Sequence, residues 1–97
     1  MMSPITVSAT LTAKPGREEE AQNVLLEVLK HSRNEEGCLH YNLHQSQDDP
    51  KVFMLYELWK GQNAIDSHIE SAHYQTYRTN IEPLIDVRNV QKWNQIG

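Results

Sequence analysis

The segment from Lys51 to Lys60 constrains the chain more than any other. It reads as a strand with Phe53, Leu55, Glu57 and Trp59 on one face and Val52, Met54, Tyr56 and Leu58 on the other. A half-buried strand shows water a polar row; this one has large apolar groups on both sides, so both faces need cover. The chain must therefore supply one covering layer itself and obtain the other elsewhere.

The rest of the sequence supplies the first layer. Ile5 to Ala13 alternates Ile5, Val7, Ala9, Leu11 and Ala13 with Thr6, Ser8, Thr10 and Thr12, a period of two rich in β-branched residues, and Pro15-Gly16 breaks it. Glu18, Glu19 and Glu20 suit the positive end of a helix, and Ala21, Val24, Leu25, Val28 and Leu29 form one apolar stripe. Lys30, His31 and Arg33 then suit its last turn, with Gly37 as a stop, which predicts a helix over Arg17–Asn34. Cys38 to Ser46 gives a second strand, joined through Gln47-Asp48-Asp49-Pro50 to the two-faced one as an antiparallel hairpin. Ala64, Ile65, His68 and Ile69 fit a short helix, Ser71 can cap another, and Tyr74, Tyr77, Ile81 and Leu84 keep the helical period until Pro83 ends it. Asp86 to Ile96 closes the chain as a fourth strand.

The order strand–helix–strand, strand–helix–strand predicts an α+β, ferredoxin-like split βαβ repeat: one four-stranded antiparallel sheet with its helices on one face. Its 97 residues form one domain, 1–97. The uncovered face calls for a partner, and a second copy of the chain is the economical choice.

Composition excludes several function classes. A net charge of −4 argues against a nucleic-acid partner, and no apolar run approaches the roughly 20 residues of a membrane span. One cysteine, Cys38, leaves no disulfide framework and, without a signal-like start, fits a cytoplasmic location. Four glycines form no phosphate loop, and there is no HxH, HExxH or CxxC spacing, so neither a cofactor nor a metal is expected.

Chemistry must then come from acid–base side chains. Glu57 lies on a strand face that should sit under the helices, where lost hydration raises a carboxyl pKa. His68 lies on the apolar stripe of its helix, with a ring that titrates near neutrality. Either can be the base, and each has a structural alternative, Glu57 as a partner of Arg88 and His68 as a hydrogen-bonded core residue. His73 could cap a helix or line the rim of a pocket. Trp59, Trp93, Tyr41, Tyr56, Tyr74 and Tyr77 offer flat surfaces to a planar ligand, although most aromatic side chains serve as core.

Several segments together carry a resemblance: Ala13-Lys14-Pro15-Gly16, then Ser32-Arg33-Asn34-Glu35-Glu36-Gly37-Cys38-Leu39-His40-Tyr41, Leu43-His44, Leu55-Tyr56-Glu57-Leu58-Trp59, and His68 followed by Ser71-Ala72-His73-Tyr74. In order and spacing the chain resembles the antibiotic biosynthesis monooxygenase family of dimeric α+β barrels. The resemblance implies a homodimer with a pocket between sheet and helices in each subunit. It implies a cofactor-independent monooxygenase in which a quinol or phenol loses a proton and its anion reacts with O2. By position, His44 and Trp59 match pocket residues of the polyketide-oxidising members, with His44 orienting the substrate and Trp59 stacking on it. Tyr41, Leu55, His73 and Tyr77 complete the expected substrate-binding set, but Leu55 and Glu57 replace an amide and a small residue, a departure from anthrone oxidisers. The haem-degrading branch has asparagine, tryptophan and histidine where this chain has Ala9, His68 and Arg78, which disfavours haem. A third branch isomerises a phosphorylated dione and resembles the chain around Glu57, His68 and His73-Tyr74. A proton-transfer isomerase on a small dicarbonyl, or a non-catalytic dimer that binds an aromatic metabolite, are the alternatives.

Overall fold

A computed structural model describes residues 3–97. Its elements run β1 (Ile5–Ala13), α1 (Glu18–Ser32), β2 (Cys38–Gln45), β3 (Val52–Trp59), α2 (Gln62–Glu70), α3 (Ala72–Ile81), a 3-10 turn (Glu82–Leu84) and β4 (Ile85–Trp93). The strands form one antiparallel sheet in the order β2-β3-β1-β4. This is the expected split βαβ plan, with the second crossover divided into two helices.

Ser71 makes that division. Its hydroxyl donates to the His68 carbonyl at 2.6 Å and accepts from the Tyr74 amide at 3.2 Å, closing α2 and capping α3 with one side chain. Pro83 stands in the 3-10 turn, where its missing amide ends α3. Gly16 takes φ +81°, a conformation open to glycine, at the turn after β1. Gly37 is no helix stop, because α1 ends at Ser32; it is a close approach, where a Cβ would collide with the side chain of Ala64.

Alternation on β3 holds throughout: Phe53, Leu55, Glu57 and Trp59 are buried, while Val52, Met54, Tyr56 and Leu58 are half-buried. Val7, Ala9, Leu11 and Ala13 of β1 join them against Ala21, Leu25, Val28 and Leu29 of α1 and Ile65, Tyr77 and Ile81 of the other helices. The face away from the helices is uncovered in the single chain. On it the half-buried side of β3 is followed across β1 by Val87 and Trp93 of β4, which pair with Thr12 and Thr6 and are 57% and 50% exposed. A bulge between Cys38 and His40 leaves Leu39 exposed where plain alternation would have buried it. No described helix is long and apolar enough to cross a membrane.

Candidate active site

Sheet and helices do not close on each other everywhere. Between the inner face of the sheet and α2 and α3 lies a cavity of about 290 Å³. Its floor alternates along the strands: Val7 and Ala9 from β1, Leu55 and Glu57 from β3, and Arg88, Val90 and Lys92 from β4. Ile65 and His68, one helical turn apart on α2, and Tyr74 and Tyr77, one turn apart on α3, form its roof, and Tyr41 closes the β2 side.

His68 is almost wholly buried, and its Nδ1 lies 2.6 Å from Glu35 Oε2. The same oxygen lies 2.8 Å from Nε2 of His73. A carboxylate only accepts, so the proton on each of these ring nitrogens is assigned to the imidazole. Burial lowers the pKa of His68 below its ordinary 6.5, against the opposing pull of Glu35. The ring is therefore neutral at pH 7, with the lone pair on Nε2. It sits 4.4 Å from the ring of Trp59 and 4.9 Å from that of Tyr74, which fix its plane.

Glu57 is 5% exposed and accepts a hydrogen bond from Trp59 Nε1 at 2.9 Å. Burial pushes its carboxyl from 4.5 up to about 7, while the Trp59 bond and the Arg88 charge pull it back. The cavity thus holds a neutral imidazole beside a carboxyl that exchanges its proton near neutral pH, which is general acid–base equipment.

The expected site residues divide clearly. Tyr41, Leu55, Glu57, His68 and Tyr77 all line the cavity. Trp59 does not: it is fully buried beneath His68 and holds Glu57, so it positions the site and cannot stack on a ligand. His73 stands behind His68, bonded to Glu35 and stacked on His31 at 5.7 Å, and opens onto a groove between α1 and α3. His44 is exposed, across from Met54 on the far side of β2 from Tyr41, and the cavity does not include it. The histidine expected to orient substrate lies outside this pocket. Cys38 is half-buried, and burial with the nearby Glu35 and Glu57 charges raises its thiol to about 11, leaving it a poor nucleophile.

Glu35 is the functional residue that residue-by-residue reading missed. It lies in the loop between α1 and β2, and its partners stand 33 and 38 residues away. Ligating atoms of Glu35, His68 and His73 lie within 4.8 Å of one another, close enough for one divalent ion. No short spacing could reveal that set. In the geometry described, the carboxylate binds the two imidazoles directly.

The antibiotic biosynthesis monooxygenase profile matches residues 4–80, from the first strand through the helices that roof the cavity. The chain belongs to the antibiotic biosynthesis monooxygenase family. Among relatives of this family, "Putative monooxygenase YcnE" of Bacillus subtilis is 33% identical over 73 residues, 75% of this chain and 77% of that protein. An uncharacterized protein of Synechocystis, sll1783, is 26% identical over 74 residues; these are 76% of this chain but only 50% of that protein. The crystal structure of PA3566 from Pseudomonas aeruginosa superimposes with a TM-score of 0.95 at 31% identity, covering 100% of this chain and 98% of that one. The fold is thus shared with PA3566 over the whole chain, while the family profile covers it from β1 into α3.

Proposed function

We propose that this antibiotic biosynthesis monooxygenase domain oxidises a small quinol or phenol with O2, using no cofactor. The observation that carries the reading is the Glu35–His68 pair at 2.6 Å, which leaves a neutral imidazole nitrogen free in the cavity beside Glu57. His68 Nε2 takes the phenolic proton, and Glu35 stabilises the resulting imidazolium. The electron-rich ring carbon then forms a bond to oxygen. The hydroperoxide loses water as its O–O bond breaks, so one oxygen stays on the product and the other leaves reduced. For a hydroquinone the balance is one O2 in, one hydroxyquinone and one water out. Protonated Glu57 is placed to supply a proton to the peroxide.

The half-buried apolar face of β3 supports a homodimer in which two sheets face each other, the second layer that this strand requires. Oxygen-electrode assays with a panel of hydroquinones, on chelator-treated protein, test the reading. Equimolar oxygen and quinol consumption with a hydroxyquinone product supports it; no uptake above the uncatalysed rate overturns it.

One observation favours a second reading. Arg88 and Lys92 give the cavity a cationic side, which a proton-transfer isomerase acting on a phosphorylated dione would use. Turnover under strict anaerobiosis supports the isomerase and excludes the oxygenase.

A further inference from the structure

One charge in the cavity is left unused by oxidation chemistry. Arg88 reaches from β4 toward α3, where its Nη2 donates to Tyr74 Oη at 3.0 Å. Its guanidinium also interacts with Tyr77, which lines the same cavity. No salt bridge to Arg88 is found among the described residues; Arg78, which does not line the cavity, pairs through Nη2 with Glu82 at 3.6 Å. A guanidinium is a planar fork suited to an oxyanion. Lys92, four residues along on the same strand face, adds positive charge on that side and is held by Gln62 Oε1 at 3.2 Å.

Apart from Glu57, the rest of the floor is apolar: Val7, Ala9, Leu55 and Val90. Its volume limits what can lie there. An apolar cavity of about 150 Å³ takes one benzene, so 290 Å³ suits one substituted ring or two fused rings.

We propose that the cavity selects planar aromatic acids, with the ring on the apolar part of the floor and the carboxylate on the cationic side, against the Arg88 guanidinium. The inference deepens the reading above by naming the substrate class of the same cavity, yet the binding preference it describes needs no turnover. In this pose the carboxylate is the anionic partner that Arg88 lacks among the described residues. The phenolic end is left for His68. A neutral quinol would fill the volume but leave the Arg88 charge without a carboxylate.

Calorimetric titration with 4-hydroxybenzoate and 4-hydroxybenzamide, alike in shape and different in charge, tests the inference. The acid should bind at least about tenfold more tightly than the amide, the discrimination expected of a charge-assisted pair in a dry site. Arg88→Gln should bring the two affinities together while the amide affinity stays within about threefold, and Arg88→Lys should keep part of the preference. Equal binding of acid and amide by the unaltered protein overturns the inference, as does an unchanged preference in Arg88→Gln. The amide doubles as a folding control, and if Arg88→Gln loses both ligands the unaltered protein and Arg88→Lys decide. Oxygen uptake is read separately. Uptake on neutral quinols without acid preference sinks only the substrate class, and acid preference without uptake sinks only the oxidation.

Discussion

Glu35 Oε2 and His68 Nδ1 meet at 2.6 Å although 33 residues separate them in the chain. The contact joins a loop at the end of α1 to the buried face of α2, and it fixes which imidazole nitrogen is free. Glu35 touches no substrate in this account; it positions His68 and supports its charge.

Glu35→Gln should therefore lower kcat on a quinol by roughly 10- to 100-fold, the usual scale for a residue that orients a histidine, with little change in KM. The pH profile separates this role from a structural one. Glu35 raises the His68 pKa through its hydrogen bond and charge. Removing the charge should move the acidic limb of kcat/KM to lower pH. A purely structural loss would leave the limb in place.

The raised carboxyl of Glu57 makes stability depend on pH in an unusual direction. Its pKa is about 7 folded against 4.5 for the free group. Between those values the folded state holds the proton and the unfolded state does not, so stability falls as pH rises through the window. His68 works oppositely below 6.5, where its depressed pKa makes stability rise with pH. The two overlap, so the difference between unaltered protein and Glu57→Gln isolates the carboxyl. Urea unfolding should show Glu57→Gln gaining relative stability from pH 5 to pH 8, by at most about 3 kcal/mol at 1.36 kcal/mol per pK unit.

Trp59→Phe removes the only hydrogen-bond donor seen on Glu57 among the described residues. It should cost about 1–3 kcal/mol in unfolding free energy, the scale for orphaning a buried acceptor. Because that bond lowers the Glu57 pKa, any rate dependence on Glu57 should shift to higher pH in the variant. Loss of substrate binding without either effect would instead make Trp59 a ligand contact.

The open sheet face makes a prediction about assembly. Tyr56 stands near its middle, on β3 opposite Ser8 of β1 and Asn42 of β2. Analytical ultracentrifugation should find a dimer, and Tyr56→Glu should dissociate it by placing a charge in each buried copy. A monomeric unaltered protein at micromolar concentration would contradict the homodimer.

Much of this was legible in the residues, and the limits have physical causes. Period-two runs located β1, β2 and β3, because a sheet with one face under helices forces alternation, whereas in β4 the apolar residues Val87, Val90 and Trp93 stand three apart. The two-sided apolar pattern of β3 announced an uncovered face. His44 shows where alternation outweighs resemblance: it lies three residues from Tyr41, so the two point to opposite sides of β2. Depth is another matter. Trp59 shares a face with Glu57, but no period tells a cavity wall from the layer beneath it. Glu35 was hidden because a loop carries no period, and its meeting with His68 is made by tertiary packing.

The most direct test compares two variants in one oxygen-uptake assay with the best quinol, at pH 7.5 and with chelator present. If His68 is the base held by Glu35, His68→Asn should lose at least about a hundredfold in kcat, in line with general-base catalysis, and Glu57→Gln should lose less. Uptake by His68→Asn within a few-fold of the unaltered protein would contradict the account.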